Sequence, residues 1–183
     1  MKQFVVLTLA AGLLVLAGCK KDTTGSVAMG EGKGTVAGVS WGVPKRWVPG
    51  GERPMRAATY AIPAAEGDTE GAECAVFYFG PGAGGDVTSN IDRWVGQFEA
   101  TSGPDRGTKQ VNGMDVTTVR IGGAYLNPSG PMMQSMGKKA GYRLLGAIVA
   151  GPQGSVFFKM TGPEKTIAAA ETEFEALVGS LSK

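Results

Sequence analysis

The chain has 183 residues, 30 of them glycine, no histidine, two cysteines and a formal charge of +2. The lack of histidine removes the commonest general base, metal ligand and pH switch together, and a nearly neutral chain with no basic run longer than a pair such as Lys20-Lys21 does not read as a nucleic-acid binder. A hydrophobic content of 43% excludes disorder, and glycine at roughly twice its usual share points to short strands joined by tight turns.

Met1-Lys2-Gln3 is a short basic start, followed by the uncharged run Phe4 to Leu16, "FVVLTLAAGLLVL". That run falls short of the roughly 20 apolar residues needed to span a bilayer and has the length of a signal-peptide core. It ends in Leu16-Ala17-Gly18-Cys19. Small residues let an extended backbone enter a narrow peptidase cleft, and the cysteine supplies a thiol for alkylation. These four positions resemble the lipobox of bacterial lipoproteins. The resemblance implies signal-peptidase recognition of Leu16, Ala17 and Gly18, cleavage before Cys19, a diacylglyceryl thioether on Cys19 and acylation of the new amino group. One acyl chain binds a membrane marginally, whereas two or three hold it stably, so the expected partner is a membrane. Lys20, where enteric-type sorting would place Asp for inner-membrane retention, inclines the reading to the outer membrane, facing the periplasm. Residues 20–34, "KKDTTGSVAMGEGKG", are small and polar without hydrophobic period, as in a flexible tether. The expected division is a signal peptide over 1–18, a lipidated tether over 19–35 and one domain over 36–183.

Within that domain, Val36 to Pro44, Met55 to Ile62 and Ala72 to Phe79 read as three strands separated by turn material. Gly80-Pro-Gly-Ala-Gly-Gly85 follows. Val87, Ile91, Trp94 and Phe98 then recur at helical spacing, with Asp86 or Thr88 able to cap the start. Asn112-Gly113 and Gly151-Pro152-Gln153-Gly154 each sit between β-favouring runs and predict hairpins. The chain closes with a helix whose apolar face is Ile167, Ala170, Phe174, Leu177, Val178 and Leu181, with Pro163 in its first turn and Thr161 and Glu164 as a capping box. The order β-β-β-α-β-β-loop-β-β-α, rich in hairpins, predicts an α+β fold: a mostly antiparallel sheet with two packed helices. This order, with the closing "FFKMTGPEKTIAAAETEFEALVGSL" and the opening "VSWGVPKRW", resembles the PsbP-like α/β/α sandwich of an extrinsic photosystem II subunit, over most of residues 36–182. "VFYFGPGAGGDVTSNIDRWVGQF" and "FFKMTGPEKT" further resemble a set of uncharacterised bacterial secreted proteins. That set carries no known catalytic residues to transfer, and histidines used by some PsbP-like members have no counterpart.

Two motifs match by letter and fail on context. Gly80, Gly82 and Gly85 fit G-x-G-x-x-G, but the helical pattern starts only at Val87, and the correctly spaced Asp105 has no room for a second parallel strand before it. No nucleotide is therefore expected. Ser135-Met136-Gly137-Lys138 fits S-x-x-K, but Gly137 interrupts it and no S-D-N or K-T-G follows. Cys74, in a strand-like run, reads as a buried inert thiol. The stretch Gly122 to Gly141 is long for a loop in a compact domain. It carries Tyr125, Met132, Met133 and Met136, a candidate soft surface for an envelope protein partner or small ligand. A less favoured alternative is Cu(I) held by the three thioethers. Trp41, Trp47 and Trp94 read as packing residues, and Glu171, Glu173 and Glu175 as a solvated helix face. No catalytic residue, metal site or cofactor is expected. The sequence reads as an envelope lipoprotein acting by binding or assembly.

Overall fold

The computed structural model describes residues 29–100, 102–129 and 134–183. In chain order the elements are β1 (Met29–Val36), β2 (Val39–Pro44), β3 (Val48–Pro49), β4 (Ala58–Ile62), β5 (Ala72–Tyr78), α1 (Val87–Val95), β6 (Phe98–Ala100), β7 (Asp105–Val111), β8 (Met114–Tyr125), β9 (Pro128–Ser129), β10 (Gln134–Ser135), β11 (Lys139–Gly151), β12 (Gly154–Pro163) and α2 (Glu164–Gly179). Eight strands form one sheet in the order β3-β4-β5-β12-β11-β8-β6, with β7 pairing the first half of β8 on the same side as β6. Every described strand pair is antiparallel. The expected α+β architecture is the one found, and the expected hairpins close where the turn chemistry put them. Asn112 and Gly113 both take positive φ, 49° and 73°, as a two-residue hairpin turn requires.

The first strand differs from expectation. Ala37 and Gly38 carry positive φ, 53° and 73°, so the chain reverses there and Val36 to Pro44 is split between β1 and β2. β1 draws in residues 29–34, which the sequence reading assigned to the tether. The residues look featureless because glycine is what the site demands. A Cβ on Gly34 would lie 2.1 Å from the Trp41 ring, which packs across it into the core.

α2 is built as expected on its buried face. Ile167, Ala170, Phe174, Leu177, Val178 and Leu181 are all buried and meet Val39, Trp41, Leu145, Val149, Phe158 and Met160 in one cluster. Its start is not. Pro163 is the N-cap and makes no side-chain cap bond, so Thr161 and Glu164 form no capping box. The cause is strand alternation. β12 runs straight through Pro163 into the helix, and Thr161 projects from the opposite face of the sheet. Asp68, in the β4–β5 connection, supplies the cap instead. One of its carboxylate oxygens accepts from Thr166 N at 2.8 Å and from the Thr166 hydroxyl at 2.7 Å. Glu173 is likewise not a solvated residue. It accepts from Arg46 Nε at 2.5 Å and from the buried Trp47 indole at 2.7 Å, tying the β2–β3 connection to the helix. Glu171 and Glu175 both pair with Arg120.

The other face of the sheet carries α1. Asp86 caps it, accepting from Ser89 N at 2.9 Å. Ile91 and Trp94 are buried against Val119, Leu144, Ile148 and Phe157, while Phe98, expected to continue the helical stripe, begins β6 and reaches the same cluster. Trp94 lies directly over Gly146, where a Cβ would stand 2.6 Å from the ring. α1 has 9 residues against 16 in α2. It covers only part of its face.

Candidate functional site

The uncovered part of that face is a groove of about 1330 Å³. Its floor follows from register. One row across the sheet pairs Thr59 of β4 with Ala75 of β5, Lys159 of β12, Gly146 of β11 and Val119 of β8. The next runs Ala61, Glu73, Thr161, Leu144 and Ile121. Lys159 is thus flanked by Ala75, whose short side chain leaves the hollow open, and by Gly146, on which the Trp94 ring is seated. The walls are Arg93 and Gln97 at the end of α1, the stretch Arg53–Arg56 before β4, and Tyr125, Asn127, Met136, Lys139 and Tyr142 around the ends of β8 and β11.

Five cations line the groove, Arg53, Arg56, Arg93, Lys139 and Lys159, against two carboxylates, Glu70 and Glu73. Glu73 is shared by Arg56 at 2.7 Å and Arg53 at 3.4 Å. Glu70 takes Lys139 at 2.8 Å and also accepts from the Tyr142 hydroxyl. These two hydrogen bonds hold the Glu70 carboxyl below its ordinary range, and Glu70 in turn raises the Lys139 ammonium above its own. Among the described residues neither Lys159 nor Arg93 makes an ion pair. Lys159 donates to Gln97 Oε1 at 2.5 Å and lies 5.6 Å from the centre of the Tyr125 ring; Arg93 donates to Asn90 Oδ1. Burial is the main reason that Lys159 is lowered to about 8, with the charges of Arg93 and Arg56 adding to it and Glu73 opposing. Two residues further along the same face of β12, the Thr161 hydroxyl is buried with no hydrogen-bond partner among the described residues. Tyr125 and Tyr142 stack at 5.8 Å, nearly parallel, and burial raises both phenols.

The exposed large hydrophobic residues among those described are Val48, Met55 and Met136, at 56%, 74% and 69% exposure. All three rim this groove. The site therefore combines a cation-bearing aromatic floor with a soft apolar edge. A second cavity, of about 800 Å³ between the β1–β2 hairpin and the β3–β4 edge, is lined by the exposed Glu31, Lys33, Lys45 and Glu52 and shares Arg53 and the half-buried Arg56 with the groove.

Of the residues singled out from sequence, Tyr125 and Met136 come together at the groove. Met132, Met133, Cys19, Leu16, Ala17 and Gly18 lie outside the described residues, so of the proposed three thioethers only Met136 falls within them. The Gly122 to Gly141 stretch is less loop-like than expected, because β8 extends to Tyr125, β11 begins at Lys139, and β9 pairs with β10 between them. Ser135 lies in β10 rather than on a helix, and Lys138 pairs with Glu99 at 2.5 Å. The S-x-x-K therefore lacks the helical turn that would put serine beside lysine. The three glycines of the G-x-G-x-x-G match have φ between 68° and 103°. They follow a strand whose two neighbours are antiparallel to it, unlike the parallel strands of a dinucleotide fold. Cys74 is fully buried, and burial pushes its thiol up. No group of three or more Cys, Asp or Glu side chains suited to a metal ion occurs among the described residues. Sequence reasoning missed Lys159, Arg93 and Thr161. "FFKMTG" does place a lysine and a threonine on one face of a strand, but not which side of the sheet stays open.

No family model matches the chain, and no curated protein matches it. Among solved structures it is similar to cyanobacterial PsbP (CyanoP) from Synechocystis sp. PCC 6803, with a TM-score of 0.52, 12% identity, and coverage of 87% of this chain and 95% of that one. PA94 from Pseudomonas aeruginosa, a protein of unknown function described as a putative regulator, aligns with a TM-score of 0.44 and 11% identity over 85% of this chain and 97% of that one. The fold is PsbP-like: an antiparallel sheet with a helix on each face.

Proposed function

We propose that the protein is a lipid-anchored binding module of the bacterial cell envelope, non-catalytic, with the α1-side groove as its binding face. The anchor rests on the order of basic start, 13-residue apolar run and Leu-Ala-Gly-Cys19, which matches lipoprotein processing in every part. Lys20 supports the outer membrane, periplasmic side. The observation that carries the binding role is that Val48, Met55 and Met136, exposed and apolar, all edge one concave site. Soluble domains seldom gather exposed apolar side chains without an interaction to use them, and methionine adapts its shape to what it meets. Catalysis is not favoured, because Lys159, the most perturbed polar group of the groove, is next to an amide and an aromatic ring rather than a nucleophile–base pair.

A diazirine-bearing residue at Met136, irradiated in intact cells, should give the purified protein an added mass. The same residue at Thr172, exposed on α2 on the opposite face, should not. No adduct at Met136, or equal adducts at both, would remove the groove as the binding face. For the anchor, Cys19→Ser should abolish palmitate labelling; labelling that persisted would refute it.

A further inference from the structure

The chemistry lining the groove selects its ligand. Arg53, Arg56 and Lys139 are already matched by Glu73 and Glu70, which leaves Lys159 and Arg93, at the floor and wall of one concavity, without a paired carboxylate among the described residues. Holding the half-buried Lys159 ammonium in a partly dehydrated hollow without a counter-charge is costly, and a bound anion, reached also by the exposed Arg93 at the wall, relieves that cost. The Thr161 hydroxyl, buried and without a hydrogen-bond partner among the described residues, is a further donor on the same face. Beyond these groups the surface is apolar and aromatic. Phe77, Phe79, Tyr125 and Phe157 line the site, and Met55 and Met136 stand exposed at its edge.

We propose that the groove binds a monomeric amphiphilic anion, its single carboxylate, sulfate or phosphate head held by Lys159 and Arg93 and its apolar body lying over Phe77 and Tyr125 toward Met55 and Met136. This rests on the groove being the binding face. Two unmatched cations suit one head group, not a polyanion. Lys159 lies at the bottom of the hollow, between Ala75 and Gly146 in the sheet, which puts it out of reach of a flat bilayer surface. Glu73 lies one row away but is held by Arg53 and Arg56, so the head belongs on the α1 side of Lys159. The groups facing Lys159 are Arg93 and Gln97 from α1 and its end, Arg56 from the chain before β4, Glu73 from β5 and Tyr125 from β8. Lys159 is the only ammonium in this set. Head-group binding should therefore follow the charge on Lys159.

The test uses the mature lipoprotein in phosphatidylcholine nanodiscs with methyl-labelled methionine. The Met55 and Met136 signals are assigned by Met55→Leu and Met136→Leu and followed by NMR. Octanoate and octyl sulfate should shift both signals saturably. Octanol and free inorganic phosphate should bind at least about tenfold more weakly, since each lacks one half of the ligand. In the unaltered protein, octanoate affinity should fall about tenfold from pH 7 to pH 9 as Lys159 loses its proton, and Lys159→Met should abolish the preference for octanoate over octanol. Octanol binding as well as octanoate, or a pH-independent affinity, would overturn the assignment. Equal shifts from phosphatidylglycerol vesicles alone would overturn the monomeric ligand in favour of the bilayer. If no amphiphile shifts either signal while Met136 still crosslinks in cells, the ligand class falls and the binding face stands.

Discussion

The two faces of the sheet share strands but not fates. On one, α2 and the β1–β2 hairpin seal a cluster in which Val39, Cys74, Val76, Leu177 and Phe158 have no exposed surface. On the other, α1 seals only the area over Val119, Leu144, Ile148 and Phe157, and the β5–β12 end of the same face carries Lys159, Thr161 and Glu73 beneath a groove. The difference lies in helix length and in two small residues. A helix of 16 residues spans about 24 Å, one of 9 about 14 Å, and the shorter one is held at one end by Trp94 seated on Gly146. The sealed face supplies stability. The half-covered face retains the charged and unpaired groups that a fully packed core does not tolerate.

The sharpest break of this contrast is a large truncation on the sealed side. Phe158→Ala should lower unfolding free energy by about 3–5 kcal/mol, read from denaturant titration. A loss below 1 kcal/mol would mean that this face is not the main core. Next is the charge on the open side. Lys159 is lowered from 10.5 to about 8, so the unfolded chain binds more protons than the folded one between those values and stability from this group rises with pH. Its penalty is full below pH 8 and fades toward pH 10.5. Wild type should therefore gain on the order of 2 kcal/mol relative to Lys159→Met between pH 7 and pH 10; a constant difference would place Lys159 in water. Gly146→Ala should cost about 1–3 kcal/mol by displacing the Trp94 ring, with a matching change in Trp94 fluorescence. Asp68→Ala should cost about 1 kcal/mol by uncapping α2 from a distance, whereas Thr161→Val should leave helix stability untouched. The smallest effect is at the rim: Met136→Ser should change stability by less than about 0.5 kcal/mol while weakening whatever the groove holds.

Much of the sealed face was legible in the sequence. α2 announced itself because Ile167, Ala170, Phe174, Leu177, Val178 and Leu181 recur at the period of a helix, and the hairpins because Asn112-Gly113 and Gly151-Pro152-Gln153-Gly154 carry turn chemistry in adjacent residues. β1 was not legible, since Met29 to Gly34 has no alternation and pairs only because Trp41 needs a glycine opposite it. The capping of α2 by Asp68 was hidden for a similar reason. The local Thr161–Glu164 pattern was present, but strand alternation turned Thr161 away and a residue 98 positions distant from Thr166 took the role. Of the candidate surface residues, Tyr125 and Met136 do face the groove, while Lys159, its chemical centre, sat unnoticed between two apolar neighbours in "FFKMTG".

Sequence alone determined the periodic and the local: the α+β class, the turn positions, the apolar face of α2, the helix after the glycines, and the lipobox-like order of the first 19 residues. Each depends on neighbours within a turn or two of chain, where spacing translates directly into geometry. Only the tertiary structure decided which cations find carboxylates and which do not. Arg56 meets Glu73 across 17 positions and Lys139 meets Glu70 across 69, whereas Lys159 and Arg93 form no ion pair among the described residues. Charge pairing and cavity shape depend on register between distant strands and on how far a short helix reaches, and neither is written in any local stretch of residues.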